Sequence, residues 1–198
     1  MSSEYSYGDP KTRQRILEAT RKLIAENGPA LSLKSVADRA GVSRQSVYLH
    51  FGDRTGLVVG LVKHMDEELA LGESMAAIFA AKSGAEMIER TMQVHADFSA
   101  AIDGIALILE AAQYEDEALG SAWRDRMRFR HEAHRAIAQR IADLGELAAG
   151  WTVEEAGDLF YATTLVGPWR ELTRELGWTA EEYVDRMTRL LQRALLRR

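Results

Sequence analysis

Apolar residues in this chain recur at intervals of three and four and almost nowhere alternate one on, one off. That period builds helices and leaves little from which to build a sheet. Ile16, Leu17, Ala19, Leu23 and Ile24 share one such stripe, with the methyl of Thr20 tolerated among them. Only Pro10, Pro29 and Pro168 interrupt 198 residues. The expected fold class is therefore all-α, and the length and 46% hydrophobic content suffice for a buried core.

Capping residues divide the pattern. Asp9 and Pro10 make an N-cap and first turn, and the run "ENGP" at 26–29 ends that helix. Ser32 caps a short helix that turns Val36, Ala37 and Ala40 inward, and Gly41 can take the left-handed backbone that reverses the chain. Ser43 caps the next helix, with Val47 and Phe51 apolar, and Asp53 caps the one from Arg54. Residues 1–53 thus read as a three-helix head with a helix-turn-helix, and 54–198 as a helical body. In the body, helices are predicted over 54–80, 84–102, 104–114, 117–145, 153–175 and 180–196. Thr152–Glu155 and Thr179–Glu182 read as capping boxes, and Pro168 predicts a kink near Thr164.

Composition removes several classes. No cysteine means no disulfide and no thiolate metal site, which fits a reducing compartment. The segment "MSSEYSYGDP" lacks a basic start and an apolar run, so no signal peptide is expected. The most apolar run, "GIALILEAA", is cut by Glu110, so no membrane partner is expected and the reading is cytoplasmic. The net charge of −5 is unevenly placed: through Gly60 nine bases outnumber six acids, leaving −8 for the rest. A basic head on an acidic body points to an anionic partner for the head.

The stretch "AGVSRQSVYLHFGDRTGL", Ala40–Leu57, carries the most chemistry. A helix-turn-helix lays its second helix in the DNA major groove. Arg44 and Gln45 can offer paired hydrogen bonds to guanine or adenine edges. Ser43, Ser46, Tyr48 and His50 suit phosphate oxygens, and Arg54 adds charge beside them. Acids are absent from Arg39 to Gly52, as a surface facing a polyanion requires. Lys11 and Arg13 could reach phosphate from the first helix or simply be solvated.

The run "ILEATRKLIAENGPALSLKSVADRAGVSRQSVYLHFGDRTGLVVGLV" resembles the N-terminal domain of the TetR (tetracycline-repressor) family of bacterial transcriptional regulators. The match lies in Ala19, Leu23, Gly28, Val36, Ala37, Ala40–Gly41–Val42–Ser43, Val47–Tyr48, His50–Phe51 and Leu57. The resemblance implies a homodimer whose heads bind a palindromic operator in double-stranded DNA. It also implies a body that dimerises and holds a small-molecule effector that releases the DNA, usually relieving repression. The family's DNA-contact positions fall on Ser43, Arg44, Gln45, Ser46, Tyr48, His50 and Arg54. Arg54 departs from the usual lysine, and Gly52, Gly56 and Gly60 make the connecting helix glycine-rich, at about 1 kcal/mol per interior glycine.

The same resemblance places Met92, His95, Phe98, Tyr114, Trp123 and Met127 on helices that line the effector cavity, although such residues at helical spacing are commonly plain core. The last two helices carry stripes that can complete a core or pair with a second copy. Leu159, Phe160, Thr163, Met187, Leu190, Leu191 and Ala194 are the expected interface. His131 and His134 at i, i+3 could meet a metal, but Arg128, Arg130 and Arg135 beside them would repel a cation, so no metal is expected.

A helical metal- or cofactor-dependent enzyme is the rival class. No histidine has Glu three residues before it, "HEAH" is one residue short of the zinc-protease spacing, and nucleotide-loop and serine-hydrolase motifs are missing. Neither catalytic residues nor a cofactor is expected. A helix-turn-helix that binds only protein remains the other alternative, and it would lack salt-sensitive affinity for duplex DNA.

Overall fold

A computed structural model of the chain describes residues 9–28, 31–69 and 71–197. The leader reading of residues 1–8 and the helix-ending role of Pro29 lie outside the described residues. The elements are α1 (Pro10–Asn27), α2 (Leu33–Ala40), α3 (Arg44–Phe51), α4 (Arg54–Glu68), α5 (Leu71–Phe79), α6 (Gly84–Ala112), α7 (Glu117–Asp143), α8 (Val153–Thr163), α9 (Val166–Arg170), a π turn (Glu171–Glu175) and α10 (Ala180–Leu195). Among the described residues the chain is all-α, with one isolated antiparallel bridge, Leu147 to Leu196.

By compactness the chain forms two units, Met1–Glu68 with Gly104–Trp123, and Leu69–Asp103 with Arg124–Arg198. In the first, Ile16, Leu17, Ala19 and Ile24 of α1, with Val36, Ala37, Val47, Leu57, Val58, Leu61 and Ile108, are almost entirely shut off from water, and α1 packs on α2 and α4. Thr20 enters this core because its hydroxyl donates to the Ile16 carbonyl at 2.7 Å, satisfying its own polar group. Leu23, Val42 and Phe51 are half-buried, at the margin of the core. The second unit packs Met87, Ile88, Met92, Ile137, Ile141, Phe160, Tyr183, Leu191 and Leu195 into one cluster.

The caps form as their spacing predicts. Asp9 accepts from Lys11 and Thr12, and Ser32 pairs with Ser35, Thr152 with Glu155 and Thr179 with Glu182 in capping boxes. The predicted helix ends are revised in three places. The stretch 54–80 is two helices, α4 and α5. The stretch 84–114 holds one helix of 29 residues, so Gly104 is no break. It is instead a point of close approach: a Cβ there would lie 2.5 Å from Cγ2 of Ile24. The stretch 153–175 is interrupted ahead of Pro168: Leu165 is extended (φ −65°, ψ 152°) and α9 starts afresh at Val166. Pro168 thus lies in a first turn, where its missing amide breaks no helical bond, and it does not kink a continuous helix.

Contrary to the membrane reading of the sequence, α6 is long and apolar enough to cross a bilayer by length and composition. Half of its apolar window is nevertheless buried within the protein, and it carries the buried polar residues Thr91, His95, Ser99 and Asp103. Those are features of a core helix.

Candidate nucleic-acid interface and interior polar cluster

The turn between α2 and α3 is set by Gly41 in the left-handed region (φ 65°, ψ 39°), whose successor Val42 bonds back to the Ala37 carbonyl at 3.1 Å. α3 then starts on Ser43, whose Oγ accepts from the Ser46 amide at 3.0 Å. Val47, fully buried, anchors α3 to the core. Everything on the far side of the helix is thereby turned outward.

Arg44 and Gln45 are exposed and Tyr48 is 62% exposed. Among the described residues none of the three has an intramolecular side-chain partner. Their donors are therefore available, whereas Arg21 and Arg39 of the same unit are tied to Glu68 and Glu26. Ser46 and His50 are half-buried. Ser43 is exposed but commits its oxygen to the cap, which leaves its hydroxyl proton as the group it can offer. Arg54 is exposed at the start of α4, close enough to Asp116 to help lower that carboxyl's pKa. Arg13 lies 5.0 Å over the ring of Phe51, a cation–π contact that ties the first helix to α3.

Sequence reasoning missed Leu49, 72% exposed and beside Tyr48. The signal was present: two residues after the anchor Val47 is about 200° around the helix. An apolar side chain held in water on this face can meet a thymine methyl.

The glycine-rich start of α4 has a packing reason. A Cβ on Gly56 would come 2.0 Å from the Phe51 carbonyl oxygen, and one on Gly60 would come 2.9 Å from the Phe51 ring. The two glycines let α4 lie directly against the end of α3, so their helix-propensity cost is offset by contact.

The second unit holds a cluster of buried polar groups. His95, 4% exposed, has Nε2 3.1 Å from the Tyr183 hydroxyl and Nδ1 3.3 Å from Ser99 Oγ. His134 donates from Nδ1 to the Arg130 carbonyl at 2.6 Å and has Nε2 2.8 Å from Thr164 Oγ1. Arg130 donates from Nη2 to the Thr164 carbonyl and stacks 5.7 Å from Phe98. Burial, then the Arg130 charge, depresses both histidines: His95 well below its usual 6.5, His134 to about 4. Burial also lifts Tyr183 to about 12, so its hydroxyl keeps its proton.

The expected body residues are placed unevenly. His95 and Phe98 belong to this cluster, Met127 is half-buried on α7, and Met92 is sealed in the core. Trp123 and Tyr114 belong to the first unit. Tyr114 is 91% exposed in the turn after α6 and lines no interior, because that turn faces solvent. His131 and His134 do not converge: His131 pairs with Asp158 at 2.6 Å, while His134 turns to Thr164. Three of the expected interface residues are likewise corrected. Phe160, Met187 and Leu191 are 0%, 8% and 1% exposed within a single chain, already consumed by its core. Leu190 is 53% exposed, and Leu159, Thr163 and Ala194 are half-buried.

Residues 16–61 match the family described as bacterial regulatory proteins, tetR family. The HTH-type transcriptional repressor Rv3405c of Mycobacterium tuberculosis is 32% identical over 89 residues. That match spans 44% of this chain and 44% of the relative, so the chain covers under half of the relative's length. Among solved structures, a transcriptional regulator from Saccharomonospora viridis in complex with choline superimposes with a TM-score of 0.83. It is 14% identical, over 96% of this chain and 100% of that one. The SmeT–triclosan complex gives 0.73 at 17% identity, over 94% and 92%, and SmeT is a repressor from Stenotrophomonas maltophilia. NalD, a repressor from Pseudomonas aeruginosa, gives 0.67 at 20% identity, over 96% and 99%. At these identities the structural likeness establishes the fold.

Proposed function

We propose, from the match of residues 16–61 to the tetR family of bacterial regulatory proteins, that this chain is a member of that family and a ligand-responsive transcriptional repressor rather than an enzyme. The observation that carries the reading is the outward face of α3, where Arg44, Gln45 and Tyr48 stand exposed without intramolecular partners on a stretch free of acids. α3 enters the major groove, with Arg44 and Gln45 on base edges and Ser43, Ser46, Tyr48, His50 and Arg54 on or near phosphates. It acts in the cytoplasm, as a homodimer on a palindromic operator. The two recognition helices then sit about 34–36 Å apart, one helical turn of DNA.

Dimerisation falls to the partly exposed margins of α8 and α10, through Leu190 and the uncovered parts of Leu159, Thr163 and Ala194. The body takes a small-molecule effector, a reading supported by structural neighbours that are complexes with choline and with triclosan. His95, Phe98 and Met127 are its contacts in this reading. The effector works only through its different affinity for the two states of the dimer, and coupling of about 1–3 kcal/mol is typical.

The test is binding to a duplex selected from genomic DNA, measured against salt. Arg44→Ala should relax discrimination at one base position by about 1–3 kcal/mol. Arg54→Ala should weaken binding to all sequences and reduce the salt slope by about 1. Affinity that ignores salt, with unchanged discrimination in Arg44→Ala, would return the head to a protein-binding role.

A further inference from the structure

Several arginines of the second unit are paired with carboxylates. Arg170 and Arg174 sit on Asp103 at 2.6 and 2.8 Å, Arg135 on Asp158 at 3.0 Å, Arg90 on Glu86 at 2.6 Å, and Arg186 on Glu182 at 2.8 Å. Arg130 is more enclosed than most of these, and among the described residues it forms no ion pair. Of a guanidinium's five N–H donors, it uses one, from Nη2 to the Thr164 carbonyl. Its Nε is shut away from solvent and meets no acceptor.

An unpaired charge and an unmet donor inside a protein are both costly, and they persist where something else meets them. The surroundings do not supply it. Arg130 faces the Phe98 ring, and the ionisable groups coupled to its charge are Tyr161, Tyr183, His95 and His134, with no carboxylate among them. Burial pulls the guanidinium's own pKa to about 10, and no carboxylate offsets it. The carbonyl at the end of α8 does attract a cation, through the helix dipole. That contact asks for one donor and would be served by lysine. It does not explain a planar guanidinium whose Nε is enclosed with no acceptor.

We infer that the effector site of this body recognises an anion, a carboxylate or a group of like charge and shape, which pairs with Arg130. Arg130 is the group best suited to take two oxygens of one planar acid. The hydroxyls of Tyr183 and Ser99, linked through His95, give the site further donors, and Phe98 gives it an apolar wall. This rests on the reading that the body holds a small-molecule effector, and it adds the effector's charge.

The experiment uses the full chain with three probes of one alkyl chain length, octanoate, octanamide and octyltrimethylammonium, and repeats the comparison with benzoate and benzamide. Melting temperature and affinity for a labelled operator duplex are read in the same samples. A carboxylate should raise the melting temperature by about 5 °C or more when it is in hundredfold excess over its Kd. The matching amide and ammonium should do so at least tenfold less effectively. Arg130→Met should lose at least tenfold in carboxylate affinity and nothing in amide affinity, and Arg130→Lys should retain part of it. Equal protection by acid and amide, protection by neither carboxylate, or full carboxylate binding by Arg130→Met would each overturn the inference. The acid–amide comparison on the native chain decides even where a variant fails to fold. DNA release by octanamide or the ammonium alone would leave the regulator standing and sink the anion site. Carboxylate binding through Arg130 with no effect on DNA would do the reverse.

Discussion

Lowering the pH from 7 to 5 should remove about 2 kcal/mol of stability through His134 alone. The ring is 7% exposed, and its Nδ1–H is committed to the Arg130 carbonyl, so in the neutral ring Nε2 is an acceptor facing the Thr164 hydroxyl. Protonation would bury a second positive charge beside Arg130, with His131 on the same helix and His95 across on α6 adding no negative charge to balance it. The folded pKa of about 4 lies below the unfolded 6.5, so the unfolded chain binds the proton more readily. Stability from this group is therefore complete above about pH 6.5 and falls as pH drops towards 4. At ~1.4 kcal/mol per pH unit the full window amounts to ~3 kcal/mol, of which ~2 kcal/mol is gone by pH 5. His95 acts in the same direction. Urea unfolding followed by circular dichroism at half-unit intervals between pH 7 and 4.5 measures the slope. His134→Gln, which cannot titrate, should start less stable and lose less between those limits. A free energy that stays level from pH 7 to 5, or an identical slope in His134→Gln, would refute the account of a neutral ring held beside a cation.

Three other outcomes follow from packing. Leu190→Asp should give monomers by light scattering with the helical signal intact, whereas Leu191→Asp should cost more than ~4 kcal/mol and unfold the second unit, since Leu191 is 1% exposed. A dimer that survives Leu190→Asp removes α10 from the interface. Gly56→Ala gains ~1 kcal/mol of helix propensity but drives a methyl towards the Phe51 carbonyl, so the melting temperature should fall, and a rise would refute the packing reason for this glycine. Asp103→Asn leaves Arg170 and Arg174 without their buried carboxylate, and should cost ~3–5 kcal/mol by urea unfolding, while a loss under 1 kcal/mol would mean that water already screens the pair.

The head was largely legible because each of its signals is local. Ser32, Gly41 and Ser43 act on backbone within three or four residues, and Val47 one turn on fixes which side of α3 faces water. A reader with the chain alone can follow all of that, and the same logic placed the capping boxes at Thr152 and Thr179. Partners brought together from distant positions were not legible. The 3.6 period marks an apolar stripe on α10 but does not say which of its rows the chain consumes itself, so Leu191 and Leu190 look alike in sequence and lie 1% and 53% exposed in the fold. Gly104, Gly56 and Gly60 read as weak points until Ile24 and Phe51 are seen against them. Arg130 gives no sequence signal at all, because what distinguishes it is the carboxylate that packing fails to bring. The sequence by itself settled the helices, their caps and the outward face of α3, since hydrogen bonds and steric limits of neighbouring residues dictate those. Tertiary structure alone decided which apolar rows and which charges are left without a partner, because that depends on contacts across tens of residues of chain.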